Sequence, residues 1–374
     1  MKQSPYANKP KSLELNSAPE DRNRLFFIDF LKAISIVVVV SFHAIFVPIS
    51  TYADSWVLLE TIFAPFKFCV PVLLTISFFL LEKSIQNRRD RPLSWLIKKR
   101  LARLAVPTVF WFGLMLVLKA IEGDLSFNLE IVEIILTGKI FTGSYFLCVL
   151  FQAIPLFILI RGLANSKLGM ALAISAQSLF FIFIASALHN NFAKGFIEIL
   201  QIIGLPLFFY WFIYLVFGAF FYKNFNKTIE MSQNTPAIVK CSLILLSAIF
   251  LCSEYYQLIE HSSDVIAPFD YALVSCIFSS LVMLFCFISI EESQFSPKIA
   301  SLIKTFSKYS LGIFCINGII SRFFMALVTS FLGDSSFGFL EMLIMKLAGW
   351  IFLLLISLGL AVLLKRIGLK QMVC

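Results

Sequence analysis

Charged residues are scarce in this chain of 374 residues: 14% are Asp, Glu, Lys or Arg, whereas soluble domains carry about a quarter. Hydrophobic residues account for 59%. This composition excludes an ordinary soluble domain. The sequence also lacks the short alternating segments that a membrane β-barrel requires. It has repeated apolar runs of about 20 residues instead, and these predict an all-α, polytopic integral membrane protein.

Metal-binding motifs and a secretion signal are also missing. The eight Cys lie mostly inside apolar runs, without a C-x-x-C pair and without clustering with the three His. We therefore predict no metal site and interpret the cysteines as small buried hydrophobes. Residues 1–24 have no apolar core, so we do not expect them to be a cleavable signal peptide. Their polar composition predicts a disordered cytoplasmic tail.

Apolar segments and loop charge together predict a topology. A transmembrane domain over residues 25–364 precedes a short cytoplasmic tail, 365–374. Most Lys and Arg residues lie in loops on the amino-terminal side, whereas the opposite loops hold only Lys139 and Lys194. The positive-inside rule therefore places both termini in the cytoplasm. About ten spans are predicted: 25–48, 56–81, 104–121, 144–160, 168–188, 199–221, 237–252, 270–290, 309–331 and 338–363.

The first span carries three ionisable residues: Asp29, Lys32 and His43. On a helix, Lys32 and His43 share one face about 16 Å apart, and Asp29 joins that face. Because a charge in the hydrocarbon costs about 2.5 to 3.5 kcal/mol, such groups need partners or a wet cavity. A neutral imidazole can remove the proton of an attacking hydroxyl, so His43 is a candidate general base. Lys32 is a candidate for stabilising an oxyanion or a phosphate, with Asp29 pairing with it or orienting it.

The loop over residues 82–103 is the most strongly charged part of the chain. Lys99, Arg100 and Arg103 lie within one helical turn just before the third span. Arg100 and Arg103 share a helix face, from which forked hydrogen bonds can hold a pyrophosphate or a 3′-phosphate. The alternative is that these cations set the topology and contact anionic lipid headgroups.

Further polar and aromatic residues lie within the predicted spans. Lys67 in the second span and Arg322 in the ninth are candidates for binding substrate in the same cavity, or else for snorkelling or structural pairing. Lys346, near the outer end of the last span, is expected to snorkel. The aromatic run over residues 208–212 is expected to face lipid or the interface rather than a ligand.

Several segments, taken in order, resemble the membrane acyltransferase-3 family. In that family's opening signature, an Asp is followed by Leu-Arg, ten apolar residues and a His, and this chain has IDFLKAISIVVVVSFH. LIKKRLARLAVPTVFW is similar to the basic start of the family's third helix, with its Arg-x-x-Arg pair. Three further helices of the family are matched more weakly, by the segments VPVLLTISFFLLEKS, GSYFLCVLFQAIPLF and KYSLGIFCINGII. The resemblance covers nearly the whole chain.

Four positions depart from the family pattern. Lys32 stands where the family usually has Arg, Phe78 replaces a Gly, Tyr145 replaces a Trp, and Asn317 stands where many members have a second His. Lys32 keeps the positive charge but loses the bidentate fork of Arg. The resemblance assigns catalysis to His43 and binding to Arg100 and Arg103, and assigns nothing to Asn317.

The resemblance implies transfer of an acyl group, with acetyl expected, from cytoplasmic acyl-CoA to a hydroxyl of a surface polysaccharide or lipid-linked glycan. The expected partners are acyl-CoA, that glycan and membrane lipid, with no bound cofactor and no nucleic acid, in a bacterial inner membrane. Because no Ser or Cys in a catalytic triad is evident, direct transfer is favoured over an acyl-enzyme. Two alternatives remain: a glycan exporter or flippase, and an inactive scaffold.

Overall fold

The computed structural model describes residues 25–48, 51–52, 55–88, 90–123, 129–261, 268–332 and 335–374, with the backbone alone at 129–130 and 261. The predicted tail over residues 1–24 lies outside these ranges. Every regular element in them is helical, which confirms the all-α prediction. The α-helices are α1 (Phe26–Phe42), α2 (Trp56–Phe63), α3 (Cys69–Asn87), α4 (Leu93–Glu122), α5 (Leu129–Leu136), α6 (Tyr145–Ile160), α7 (Lys167–His189), α8 (Lys194–Ile203), α9 (Phe212–Lys223), α10 (Phe225–Asn234), α11 (Ala237–His261), α12 (Val274–Phe287), α13 (Pro297–Lys308), α14 (Ser310–Leu332), α15 (Phe339–Arg366) and α16 (Lys370–Val373).

Seven helical segments in the described ranges are long and apolar enough to cross a membrane. Each overlaps one of the predicted spans. The other three predicted spans contain the shorter helices α1, α9 and α12, of 17, 12 and 14 residues. The number of ten crossings therefore stays a prediction. The seven segments are Trp56–Asn87, Leu93–Glu122, Tyr145–Asn165, Lys167–His189, Ala237–Glu260, Ser310–Leu332 and Phe339–Arg366.

Helices α3 and α9 form the centre of the bundle. A side chain at Gly218 of α9 would place its Cβ 2.6 Å from Cβ of Phe78 and 2.7 Å from the backbone nitrogen of Phe79, both in α3. The absence of a side chain at Gly218 therefore lets the two helices approach closely. Helix α1 packs against α3, α13, α14 and α15. Apolar side chains of α4, α7, α11 and α15 are exposed, as expected of helices that face hydrocarbon.

The aromatic run over residues 208–212 is not a lipid-facing belt throughout. Tyr210 and Trp211 are buried, whereas Phe209 is exposed. The ring of Trp211 stacks on Tyr145 at 6.0 Å between centroids, and its Nε1 donates to the carbonyl of Leu205 at 2.7 Å. The lipid-facing prediction is therefore wrong for Tyr210 and Trp211, because contacts with α6 and the 204–207 turn bury them.

The snorkelling prediction for Lys346 is also wrong. Lys346 is 1% exposed, and its Nζ donates to Oε1 of Glu60 at 3.0 Å. Its ammonium also lies 4.1 Å from the ring centroid of Phe63. A buried cation is tolerable when a carboxylate compensates it, so this pair joins α15 to α2 inside the bundle.

The last described residues fold back onto the bundle as α16. Trp111 of α4 donates from Nε1 to the carbonyl of Met372 at 2.9 Å. A side chain at Gly312 of α14 would come within 2.7 Å of Cβ of Val373. The predicted tail, 365–374, is thus held between α4 and α14.

Candidate active site

His43 lies directly after the last residue of α1. The helix ends at Phe42, earlier than the predicted span over 25–48. The backbone N–H of His43 donates to the carbonyl of Val40 at 3.1 Å. Beyond it, the chain packs against α15, where a side chain at Gly349 would meet the carbonyl oxygen of Ala44 at 2.5 Å. Gly349 therefore leaves room for the chain to turn away from the helix axis at this point.

The side chain of Asn317 meets the imidazole of His43. Nδ1 of His43 contacts Oδ1 of Asn317, which is fully buried on α14. The amide nitrogen of Asn317 donates to the carbonyls of Ile313 and Phe314 at 2.6 and 2.9 Å, so its oxygen faces the imidazole. Because an amide oxygen only accepts, Nδ1 carries the hydrogen, and in the neutral imidazole Nε2 therefore retains a lone pair. This is the tautomer that a general base needs.

The loop between α5 and α6 packs against this pair. Gly143 has a φ of +90°, and a Cβ there would lie 3.3 Å from Cε1 of His43 and 3.1 Å from Cζ of Phe314. On α14, a Cβ at Gly318 would lie 2.2 Å from the carbonyl oxygen of Thr142. The hydroxyl of Ser144, fully buried, contacts the carbonyls of Gly138 and Phe141 at 2.6 and 2.7 Å. Small residues thus permit the close packing that fixes the loop beside His43.

A cavity of about 670 Å³ opens beside His43 at the end of the bundle where α1 finishes. Charge distribution predicts that this end faces away from the cytoplasm. The walls come from the end of α1, the α5–α6 loop, the 201–205 region and α14. Among the lining residues are Phe42, Tyr145, Gln201, Ser321, Arg322 and Lys139.

Asp29 and Lys32 lie toward the opposite end of α1. Ser307 of α13 donates to Oδ1 of Asp29 at 2.5 Å, and Asp29 is buried. Lys32 and His43 are eleven positions apart, which corresponds to a helical rise of about 16 Å. Neither residue is among those that line the His43 cavity. The structure therefore does not bring the three ionisable residues of the first span into one site.

Arg100 and Arg103 line a second cavity, of about 250 Å³. Nη2 of Arg100 donates to the carbonyl of Ser77 at 3.1 Å. Lys99 does not line this cavity; its ammonium lies 4.8 Å from the ring centroid of Trp95. The arginine pair therefore shares a cavity as its spacing predicts, and Lys99 is placed outside it. The other walls are Ser77, Phe78, Leu81, Leu104, Pro107, Leu150, Ile154, Leu311, Gln371 and Cys374.

Helices α6 and α14 contribute walls to both cavities. On α14, Leu311 lines the arginine cavity, and Arg322 lines the His43 cavity. Between them along the helix lies Phe314, whose ring is 5.4 Å from that of Phe146 on α6. Leu311 lies six positions before Asn317, the partner of His43, which corresponds to a rise of about 9 Å. Along α14, the Phe146–Phe314 pair thus lies between the residues that line the two cavities.

Lys67 and Arg322 differ in their relation to the His43 cavity. Arg322 lines it and forms an ion pair with Glu122 at 2.8 Å. Lys67 does not line it, since its ammonium is bound to Asp270 at 2.7 Å and lies 4.7 Å from the ring centroid of Phe42. The prediction that both residues share one cavity therefore holds for the position of Arg322 and fails for Lys67, which lies behind the Phe42 wall in a buried pair.

Sequence reasoning missed two residues of the site, Asn317 and Lys139. For Asn317 a signal was available, because a buried amide in an apolar helix needs a partner and relatives often have His there. For Lys139 the sequence indicates only an outer loop, and its position at the cavity depends on how the α5–α6 loop folds.

Comparison with known proteins identifies the family of this chain. A family model described as an acyltransferase domain matches residues 25–366. The match covers nearly the whole chain, so the protein belongs to the acyltransferase-3 family. Together with its several apolar helices, this membership identifies a multi-pass membrane protein of an acyltransferase family. No curated protein and no solved structure matches the chain.

Proposed function

We propose that this protein transfers an acyl group, with acetyl favoured, from acyl-CoA to a hydroxyl of a surface polysaccharide or lipid-linked glycan. The observation that carries the proposal is the contact between His43 and Asn317 at the wall of a cavity large enough for a sugar. The contact supports Nδ1 as the nitrogen that carries the hydrogen, which leaves Nε2 of the neutral imidazole available as a base. We further propose that the protein acts in a bacterial inner membrane with both termini in the cytoplasm.

His43 acts directly on the acceptor hydroxyl in this proposal. Nε2 takes the hydroxyl proton as the oxygen attacks the thioester carbonyl, giving a tetrahedral intermediate. When the carbon–sulfur bond breaks, the imidazolium returns the proton to the departing thiolate. The products are the ester and free CoA, and His43 is neutral again. Throughout, Asn317 accepts the Nδ1 hydrogen bond and stabilises the imidazolium that forms.

The arginine cavity is the proposed site for the phosphates of the donor. Guanidinium groups bind phosphate through paired, charge-assisted hydrogen bonds, and Arg100 and Arg103 line the same cavity. The helical rise of about 9 Å from Leu311, in the wall of the arginine cavity, to Asn317, the partner of His43, is one that an extended thioester arm can span. The Phe146–Phe314 pair lies on that route, so the arm would pass beside these rings.

The proposed roles of Lys32 and Asp29 follow from their distance from His43. A rise of about 16 Å excludes direct contact with an oxyanion formed beside His43. Lys32 lines neither the His43 cavity nor the arginine cavity, so it is not assigned to the reacting carbonyl. Asp29, held by Ser307, orients this end of α1.

Thioester turnover by the purified protein tests the proposal. We expect the protein in nanodiscs to release free thiol from acetyl-CoA, more rapidly when a surface glycan fraction is added. Mass spectrometry should then find the added acetyl group as an ester on the glycan. If the protein binds the glycan but leaves the thioester intact with every acceptor that is added, the proposal fails and the exporter alternative is favoured.

A further inference from the structure

Two cationic side chains, Lys139 and Arg322, line the His43 cavity. They come from different elements, the turn after α5 and the second half of α14. The proposed acyl transfer requires neither of them for proton transfer. A cation at the wall of a substrate cavity nevertheless affects which substrates bind there, because it favours negative charge.

The position of Lys139 is fixed by the backbone around it. Gly138 has a φ of +62°, and its N–H donates to the carbonyl of Ile135 at 3.3 Å. The N–H of Lys139 donates to the carbonyl of Ile134 at 3.0 Å, which completes the capping pattern of a helix that ends at glycine. A Cβ at Gly138 would lie 2.4 Å from Cα of Tyr145. The turn that carries Lys139 is therefore packed against the start of α6.

The charge of Lys139 is not compensated within the described part of the chain. Its side chain is exposed and forms no ion pair with any described residue. Arg322, by contrast, meets the carboxylate of Glu122. Lys139 is also one of only two cations in the loops predicted to lie outside, the other being Lys194. One of these two rare cations thus lines the cavity of the proposed base.

We propose that the acceptor carries an anionic group, a phosphate or a carboxylate, which Lys139 binds together with Arg322 while the reacting hydroxyl faces His43. This inference rests on the proposed function. An anion that binds these two cations has a second source, because the headgroups of bilayer lipids also carry phosphate. We assign the anion to the acceptor, because Lys139 lines the same cavity as His43, the proposed base that acts on the acceptor. Tyr145 and the amide of Gln201 also line this cavity.

Protection of His43 from ethoxycarbonylation by diethyl pyrocarbonate tests this assignment without requiring acyl transfer. Peptide mass spectrometry separates His43 from His189 and His261. The probes are phenyl glucoside and phenyl glucuronide, which differ in charge at one carbon. The protein is held in phosphatidylcholine nanodiscs, with and without phosphatidylglycerol. We expect half-protection by the glucuronide at a concentration about tenfold lower than by the glucoside, as one charge-assisted hydrogen bond provides.

Two variants make the test specific. Lys139→Ala should remove most of the preference for the glucuronide, whereas Lys194→Ala, the other outer-loop cation, should retain it. Both side chains are exposed, so both variants should fold. Equal protection by the two probes, or a preference that survives Lys139→Ala, would overturn the proposal. So would protection of His43 by phosphatidylglycerol alone, because the cations would then bind lipid. Absence of acyl transfer alongside selective protection would refute only the enzymatic proposal.

Discussion

Nδ1 of His43 donates a hydrogen bond to Oδ1 of Asn317 across 274 residues of sequence. The bond joins the end of the first helix to the middle of α14. It couples the packing of α14 to the orientation of the imidazole. Because α14 also carries Gly318 and Arg322, a single helix positions the base, the neighbouring loop and part of the cavity wall.

His43→Ala should abolish acyl transfer without unfolding the protein. Removal of a general base reduces turnover by about 10² to 10⁴. The imidazole is half-buried at a cavity wall, so its loss should cost little stability. Thiol release and melting temperature would be measured on detergent-purified protein. His43→Gln should be nearly as inactive, because an amide cannot take up the proton. A monodisperse His43→Ala protein that keeps more than about a tenth of wild-type turnover would refute the role.

Asn317→Leu should lower kcat while leaving the KM for acetyl-CoA unchanged. Leu has a similar shape but cannot accept the Nδ1 hydrogen bond, so the tautomer and the ring orientation are lost. We expect kcat to decrease about 10- to 100-fold, the effect of losing one charge-assisted hydrogen bond. Asn317→Asp keeps an acceptor for Nδ1 but loses the bonds to the carbonyls of Ile313 and Phe314, so it should retain more activity than Asn317→Leu. Equal losses in the two variants, in step with melting temperature, would indicate a structural role alone.

Arg100→Ala combined with Arg103→Ala should raise the KM for acetyl-CoA more than the KM for the acceptor. Each lost charge-assisted bond to phosphate costs about 1.5 to 3 kcal/mol. Steady-state kinetics with each substrate varied in turn would measure the difference. Lys99→Ala should have a smaller effect, because its ammonium lies over Trp95 outside the cavity. An unchanged KM accompanied by poor membrane insertion would show that the pair sets topology.

Gly318→Ala should destabilise the site by overpacking. The added methyl group would lie 2.2 Å from the carbonyl oxygen of Thr142, and such overpacking costs about 1 to 3 kcal/mol. Gly359→Ala on α15 is the matched control, because a Cβ there has no neighbour within 4 Å. Melting temperature in detergent should decrease in the first variant and stay the same or increase in the second. Equal melting temperatures would contradict the close approach of α14 to the α5–α6 loop.

Reporter fusions should follow the charge distribution of the loops. Most Lys and Arg residues of the loops lie on the same side of the membrane as the amino terminus. The positive-inside rule places this side in the cytoplasm. Alkaline phosphatase and green fluorescent protein fusions report the two sides. Inversion at two or more positions would refute the ten-span topology. Fusions after Ala53, Phe127 and Ser263 should report outside, and those after Arg89, Asn226 and Glu292 inside.

The sequence predicts the class of this fold because hydrophobic length and charge distribution are local properties. The placement of His43 at a cavity was also predictable, since an imidazole in an apolar segment needs a polar neighbour. The identity of that neighbour was not, because Asn317 reaches His43 only once α1 and α14 pack. The same reason explains Lys346. Its position near a helix end predicts snorkelling, but its ammonium binds the carboxylate of Glu60, which lies far away in the sequence, and the side chain is therefore buried.

Cys374 and Gln371 form part of the wall of the arginine cavity. An affinity tag joined directly after Cys374 would lie beside the proposed site for the donor phosphates. On the proposed function, a protein purified through such a tag should bind acetyl-CoA poorly for reasons unrelated to its catalytic residues. Cleavage of the tag, or a tag placed at the opposite end of the chain, should therefore precede any conclusion that a preparation is inactive.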